Sequence, residues 1–389
     1  MNFRLITAGE SHGPGLTCIV EGIPAGLELS QEAINGDLAR RQLGHGRGGR
    51  MKIETDKADV TAGVRHGLTL GGPICLSVTN ADFANWEDRM NPWPVEPVID
   101  EVHLPRPGHA DLPGAWKYDF TDVRNVLERA SARETAARVA GGAVAKAMLA
   151  AVGVQVRSHV IQIGTVTAPE VYNPSLSDFD AVDASPVRCL DADASVAMVE
   201  EINVLRKKNE SIGGTFEVRV WGLVPGLGSH VSWEDRLDGR LAQAVMSVQA
   251  IKGVGIGDGF DLAGRPGSEA HDEIFHSEER GWFRETNRAG GVEGGMTNGE
   301  ALVVRAAMKP LPTLTKPLRS VDISTLEPAA ALRERTDSCT VPAAGVVAEA
   351  MVAFVLAEAY SDKFGGDSID DLTAAVATYR ERIGWKQRP

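Results

Sequence analysis

Cysteine is scarce in this chain. Cys18, Cys75, Cys189 and Cys339 are spread through 389 residues with no Cys-x-x-Cys pair, which excludes a zinc ribbon and a disulfide scaffold and fits a reducing cytoplasm. No apolar run reaches the roughly 18 residues that a membrane-spanning helix needs, and Glu10 stands where a secretory signal requires its apolar segment. Positive charge is in deficit. The 40 Lys and Arg against 53 Asp and Glu give a formal net charge of −13, and generic nucleic-acid binding, which needs a basic face, is excluded. Neither nucleic acid nor membrane is expected as a partner, and no metal-ligand set is read.

What is present is a globular composition with local cationic clusters. Hydrophobic residues at 43% and charged residues at 24% suit a folded core with a solvated surface. The length permits one large domain or two to three ordinary ones. Inside an acidic chain, arginine clusters are the informative feature. The span 40–52 carries Arg40, Arg41, Arg47, Arg50 and Lys52 among four glycines. It is either a solvated loop or an anion site, because the planar guanidinium fork matches carboxylate and phosphate. Gly44-x-Gly46-x-x-Gly49 spells a dinucleotide fingerprint, yet a helical pattern precedes it and a strand pattern follows. That order is the reverse of what the fingerprint requires, so a Rossmann unit is excluded.

In chain order the pattern is mixed α/β. Strands are expected at 3–7, 16–20, 27–29, 52–55, 60–64, 74–78, 154–166, 214–223 and 301–307. Ser30 caps a helix to about Arg41, and Ser195 to Lys208 reads as an amphipathic helix. Ser232 is expected to cap a helix to about Ile251. Pro342 opens an apolar helix to about Tyr360, stopped by Gly365-Gly366. Asn80 to Phe120 is a long irregular segment rich in Pro and Trp, of a length that usually carries function. Residues 15–28 resemble residues 214–228: each is a strand, a glycine-bounded turn with a proline, then a capped helix. Arg65 to Ile74 loosely parallels Asn287 to Leu302, and a duplicated α/β unit explains both echoes.

Several stretches are poor ways to build a core and good ways to build a site. Ser11 and His12 sit in the frame Ala8-Gly9-Glu10-Ser11-His12-Gly13-Pro14-Gly15, where glycine permits close approach and proline stiffens the exit. His109 lies in a second Pro-Gly frame, Arg106 to Asp111, and either serves chemistry or ties the loop to itself. Ser131 with Glu134 reads as a capping box between Arg129 and Arg133. If the helix starts there, its N-terminus is an anion site; a start nearer Asp122 removes that argument. Glycine-dense segments at 253–259 and 287–299 leave room for a flat ring or a phosphate. Cys339 lies in a polar loop, as a reactive or a plain structural thiol.

Ala8 to Gly13, Arg106 to Asp111, Glu128 to Thr135, Gln249 to Gly253, Asn287 to Gly299 and Arg335 to Asp337 together resemble the ordered motifs of the chorismate synthase family. The resemblance runs from the first strand to the helix after Pro342; the loop 167–192 and the stretch beyond about Gly366 fall outside it. It implies a β-α-β sandwich with internal pseudosymmetric duplication, one large catalytic domain over 1–366 with a polar tail at 367–389, and a cytoplasmic homotetramer. It also implies a 1,4-anti elimination of phosphate from 5-enolpyruvylshikimate 3-phosphate to give chorismate, using reduced FMN without net redox change. No large insertion of the kind found in bifunctional fungal members is apparent. The resemblance therefore implies a monofunctional lyase that receives FMNH2 from a separate flavin reductase.

Carried onto matching positions, His12 would protonate the leaving phosphate and His109 would stabilise the reduced, anionic flavin. Asp337 with Ser11 would relay the proton taken up at flavin N5. FMN would be held by Arg129, Ala130, Ser131, Gln249, Ala250, Gly294, Lys309, Pro310, Leu311, Pro312, Thr313 and Arg335. The anion clamps would be Arg41, Arg47, Arg50, Arg106, Arg133 and again Arg335; Arg41 and Arg47 also match positions of nicotinamide-dinucleotide (NADP) contact. The residues agree with these roles. A substrate with two carboxylates and a phosphate needs several fixed cations, each ion pair at about 4 Å being worth roughly 4 kcal/mol at an effective dielectric near 20. An imidazole titrates near neutral pH and can supply a departing phosphate with a proton. An ordinary flavin oxidoreductase and a non-catalytic anion-binding protein are the alternatives.

Overall fold

The computed structural model describes residues 3–48, 54–97, 99–171, 173–334 and 336–386. Alternation of apolar and polar residues builds its first sheet from β1 (Arg4–Ala8), β2 (Gly15–Glu21), β3 (Ala58–Ala62) and β4 (Ile74–Thr79), in the order β1-β2-β4-β3 with every pair antiparallel. Leu16, Cys18 and Val20 of β2 and Ile74, Leu76 and Val78 of β4 are buried, as a period of two requires of one face. The second sheet holds β5 (Gln155–Ile163), β6 (Val166–Thr167), β7 (Gly214–Trp221), β8 (Ile251–Ile256) and β9 (Leu302–Met308), ordered β8-β9-β7-β5-β6.

Two helices fill the space between the sheets: α4 (Thr135–Ala151) packs on the first and α7 (Val341–Phe364) on the second, and they pack on each other. Adjacent glycines let α4 approach both neighbours. A Cβ at Gly141 would meet the Leu5 side chain at 2.6 Å, and one at Gly142 would meet the Ala350 Cβ at 2.3 Å. The result is a β-α-β sandwich. By length and composition α7 could cross a membrane, but most of it is buried within this sandwich. Around it are α1 (Gln31–Gln42), α2 (Asp111–Tyr118), α3 (Arg124–Ala130), α5 (Ala192–Lys207), α6 (Leu237–Met246) and α8 (Ile369–Ile383).

The echo between the halves extends to individual hydrogen bonds. Gly22 and Gly222 have φ of 84° and 82°, and Gly26 and Gly226 have 80° and 82°. Thr69 Oγ1 donates to the Pro24 carbonyl and accepts from Leu27 N; Thr297 Oγ1 donates to the Val224 carbonyl and accepts from Leu227 N. Strand order matches as well, β1-β2-β4-β3 against β5-β7-β9-β8, with α1 answering to α6 and α4 to α7. The duplicated units meet at the α4–α7 contact.

Several expected elements differ. Residues 27–29 make only a bridge, Glu28 to Leu68. In the expected strand 52–55, residues 52 and 53 lie outside the described residues, and Glu54 and Thr55 take no strand conformation. Ser232 does not cap α6: residues 232–235 form a turn, and the helix starts at Leu237 behind Arg236. The loop 167–192 contains a 3-10 helix, Leu176–Ala184. Both starts weighed for the helix near Ser131 contribute: α3 begins at Arg124, Ser131 breaks it with ψ 142°, and α4 begins at Thr135 after one 3-10 turn. Beyond Gly366, where a polar tail is expected, α8 buries Leu372 and Val376 against the core. Cys339 is buried, and desolvation pushes its thiol up to about 11, so the structural alternative holds.

Candidate active site

The β1–β2 turn is closed by contacts that only glycine allows. A Cβ at Gly9 would fall 2.4 Å from the Gly15 carbonyl oxygen, and Gly9 has φ 107°. Asn80 Nδ2 donates to the carbonyls of Glu10 and Gly13 at 3.1 and 2.8 Å. Held this way, the turn delivers its polar side chains to α3. Ser11 N donates to the Glu128 carbonyl at 3.0 Å, His12 N donates to Glu128 Oε2 at 2.9 Å, and His12 Nδ1 lies 3.0 Å from both Glu128 oxygens. Trp86 stacks on the imidazole with ring centroids 3.9 Å apart. Burial raises the proton affinity of the Glu128 carboxyl, but the hydrogen bonds from His12 and the charge of Arg124 more than reverse this, leaving it below the usual range.

A second histidine–carboxylate pair stands at the start of α2, which Asp111 opens. His109 Nδ1 lies 2.5 Å from Asp111 Oδ1. Asp111 also accepts from Arg106 N, Nε and Nη2 at 3.0, 2.8 and 3.1 Å, and Arg106 Nη2 lies 3.1 Å from His109 Nδ1. Asp111 is buried, which opposes its charge; His109 and Arg106 outweigh that and hold it well below the ordinary carboxylate value. Arg106 Nη1 donates to Thr313 Oγ1 at 3.1 Å, tying this loop to the strand end after β9.

Both histidines line one cavity of ≈ 630 Å³, a size suited to a small-molecule ligand. Its wall comes from equivalent segments of the two halves: the loops after α1 and α6, the chain after β4 and β9, and the N-terminal ends of α4 and α7. Arg41, Arg47, Arg89, Arg106, Arg124, Arg133, Arg333 and Lys309 line it against Glu334 and Asp337. A chain of net charge −13 thus concentrates cation in one place, a field suited to a polyanion. Arg41 and Arg133 are buried and share Asp56 at 3.2 and 2.5 Å; burial lowers Arg41 to about 10. Asp337 Oδ1 accepts from Gly48 N at 2.5 Å and Oδ2 lies 3.5 Å from Arg47 Nε, while Ser131 Oγ donates to Ser11 Oγ at 3.1 Å.

Of the residues expected to hold flavin, Ala130, Ser131, Gln249, Ala250, Lys309, Leu311, Pro312 and Thr313 line this cavity. Gln249 Oε1 is buried without a hydrogen-bond partner among the described residues, and such an atom costs about 1–3 kcal/mol unless a ligand or water answers it. Together with the apolar wall of Leu127, Val248, Leu311 and Val347, it fits a flat ring with polar edges. Arg129, Pro310 and Gly294 do not line the cavity. Arg129 turns to the first sheet, donating to the carbonyls of Gly9 and Thr7 with its side chain 41% exposed, and Gly294 sits in the hairpin between residues 293 and 296. Arg50 and Arg335 lie outside the described residues. Glu134 forms no capping box: it accepts from Thr7, Arg138 and Gln249 instead.

Sequence reasoning missed Glu128, Arg124, Trp86, Arg89, Glu334 and the service of Asp111. Asp111 was signalled by its place two residues after His109, and Trp86 by the tryptophans of a long irregular segment. Glu128 sits one helical turn from Arg124 in an i,i+4 pair, which signals a helix face and not a histidine partner.

A sandwich of two duplicated α/β units, closing a cation-lined cavity around two histidine–carboxylate pairs, defines an enzyme that acts on a polyanionic small molecule. Comparison with known proteins is specific. The chorismate synthase family model matches residues 3–361, and the chain belongs to that family. Chorismate synthases of Symbiobacterium thermophilum and Rubrobacter xylanophilus are 56% and 55% identical to it, covering 98% and 100% of this chain and 99% of each relative. A crystal structure of chorismate synthase aligns with TM-score 0.80 at 42% identity over 98% of both chains. Family membership makes this a lyase, EC 4.2.3.5, of aromatic biosynthesis.

Proposed function

We propose that this chain eliminates phosphate and the C6 pro-R hydrogen of 5-enolpyruvylshikimate 3-phosphate in the 1,4-anti sense, giving chorismate, with reduced FMN bound beside the substrate. The observation that carries it is the pairing of two carboxylate-bound histidines with a cluster of cations around one cavity. When bound, reduced FMN supplies electron density to the substrate and regains it, so no net oxidation results. Gln249, Ala250, Ser131, Lys309 and Thr313 would hold it, on the apolar floor of Leu127 and Val347. Arg47, Arg106 and Arg124 face the cavity and would bind phosphate and carboxylates, joined by Arg50 and Arg335 where the family motif places them.

His12 would give its proton to the departing phosphate, His109 would stay beside the flavin, and Asp337 with Ser11 would serve the proton relay. The Arg41 guanidinium is already bound by Thr135, Asp56 and the Ala132 carbonyl, so no dinucleotide contact is proposed for it. A homotetramer in the cytoplasm, supplied with FMNH2 by a separate reductase, completes the proposal, with residues 1–366 as the catalytic domain and α8 packed against it.

The test is anaerobic incubation with the substrate and chemically reduced FMN, following chorismate absorbance and free phosphate. Equal yields of both, far exceeding the flavin present, are expected. Flavin oxidised in step with product would instead point to an oxidoreductase. His12→Ala should retain FMN and substrate while turnover falls at least about a hundredfold; undiminished turnover sinks the assignment.

A further inference from the structure

The two histidine–carboxylate pairs are not alike, and the difference assigns a task to Glu128. Asp111 gives most of its capacity to Arg106, and His109 shares that carboxylate with a guanidinium 3.1 Å from its own Nδ1. Glu128 faces His12 with both oxygens at 3.0 Å from Nδ1, and one of them also takes the His12 backbone N–H at 2.9 Å. The ring is then fixed from a third direction by Trp86. We propose that Glu128 is the positioning residue of His12, holding a proton on Nδ1 so that Nε2 is the nitrogen that donates to the leaving group. The proposal rests on the assignment of His12 as the acid.

An ionised carboxylate only accepts hydrogen bonds. Glu128 is buried, which opposes its charge, yet His12 and Arg124 outweigh that and hold its carboxyl below the usual range, so it stays ionised. Its partner Nδ1 must therefore carry a hydrogen, in the neutral ring as in the imidazolium. As the C–O bond breaks, its electron pair leaves with the phosphate oxygen, and the Nε2 proton passes to that oxygen. The ring is left neutral as the Nδ1–H tautomer, still bonded to Glu128, which stays a carboxylate. A carboxylate oriented this way fixes the tautomer and stabilises the cationic ring without itself taking the proton. Among the described residues, other charges near the ring include Arg124, 2.9 Å from Glu128 Oε1 and 5.1 Å from the Trp86 centroid, and Arg89, 5.5 Å from that centroid. Glu334 lies 3.7 Å from Arg124, and Glu10 belongs to the same turn.

Glu128→Gln is a telling variant because it removes the negative charge and puts an NH2 donor where a carboxylate oxygen stood: in place of Oε1 the NH2 would oppose Arg124 Nη1 and the Nδ1–H, and in place of Oε2 it would oppose the His12 N–H and the Nδ1–H. With reduced FMN and substrate, kcat should fall at least tenfold near pH 7.5 while KM and FMN affinity stay within about threefold. The alkaline limb of the kcat/KM profile should move down by at least about one pH unit, and Glu128→Asp should restore the limb while recovering only part of kcat. A purely structural glutamate would change stability and leave the limb in place. If Glu128→Gln keeps kcat within twofold and an unmoved limb while His12→Ala has lost turnover, the inference is wrong and the role of His12 stands. If His12→Ala keeps turnover, the role of His12 fails first. Should Glu128→Gln not fold, ¹⁵N-histidine spectra of the unmodified protein, with His12→Ala identifying the resonance, give the same decision: a neutral ring protonated on Nε2 overturns the proposal.

Discussion

Glu349 shows how the residue scale sets the behaviour of the core. It lies on α7 and is fully buried, with Arg40 Nη1 and Nη2 each at 2.8 Å, Lys146 Nζ at 2.6 Å, Ser158 Oγ at 2.6 Å and Arg188 Nη2 at 3.3 Å. Burial alone would raise its pKa; Lys146, Arg40 and Arg188 reverse that and place it well below the usual value. A carboxyl depressed in the folded state contributes stability above its unfolded pKa of about 4.3 and loses it as pH falls through the folded value. Glu349→Gln should therefore lower Tm at pH 7 and flatten the acid limb of a Tm–pH curve. Leaving buried Arg188 and half-buried Arg40 and Lys146 with one fewer counter-ion should cost about 3–5 kcal/mol. An unchanged acid limb would show that other carboxylates govern acid unfolding. The thiols give a second residue-scale prediction. Desolvation raises Cys18 to about 12 and Cys339 to about 11, so neither should react with a thiol reagent in the native protein at pH 8, and both should react once it is unfolded. Rapid native labelling of either would contradict the packing.

At the scale of elements, α4 and α7 approach closely enough to exclude a side chain between them. Gly142 has no room for a side chain against Ala350, so Gly142→Val must push apart two helices that also carry the two sheets. Such overpacking typically costs about 1–3 kcal/mol, and here the neighbour is backbone as well as side chain, which places the expected loss at the upper end, read as a drop in the urea midpoint. What was legible in the sequence is what local interactions decide. The Ser30 cap and the period-two strands follow from interactions within a few residues, and the strand–turn–helix echo survives because both copies keep the same turn chemistry. Ser131 and Glu134 spelled a capping box, but their partners are distant: Ser11 for one, Thr7 and Gln249 for the other. Arg129 stood beside Ala130 and Ser131 in one motif. On α3 it nevertheless points away from the face that carries Arg124 and Leu127 to the cavity, and helical phase, not motif membership, decides that. Glu128 was in the same motif and went unread because its histidine lies 116 residues away.

Across the whole molecule the duplication places the cavity and its opposite pole. The N-terminal end of α7 lines the cavity from Thr340 to Val347, and the helix runs 24 residues from Val341 to Phe364, roughly 36 Å at 1.5 Å per residue. What lies at the far end is α8, whose surroundings tie the two halves together. Ala25 N donates to the Asp367 carbonyl and Ile369 N to the Ala25 carbonyl, both at 2.9 Å. Tyr379 OH donates to the Pro225 carbonyl at 2.9 Å. Ala25 and Pro225 occupy the two equivalent turns, so one helix clasps the same feature in each copy. Truncation after Gly366 would remove both clasps and the buried side chains of Leu372 and Val376, worth about 1.5–3 kcal/mol each. The truncated chain should lose roughly 5 °C or more in Tm while KM for substrate at 25 °C stays within about twofold, because none of these contacts reaches the cavity. A large change in KM with little loss of Tm would instead mean that the C-terminal helix communicates with the site, and the two halves would have to be treated as mechanically coupled through it.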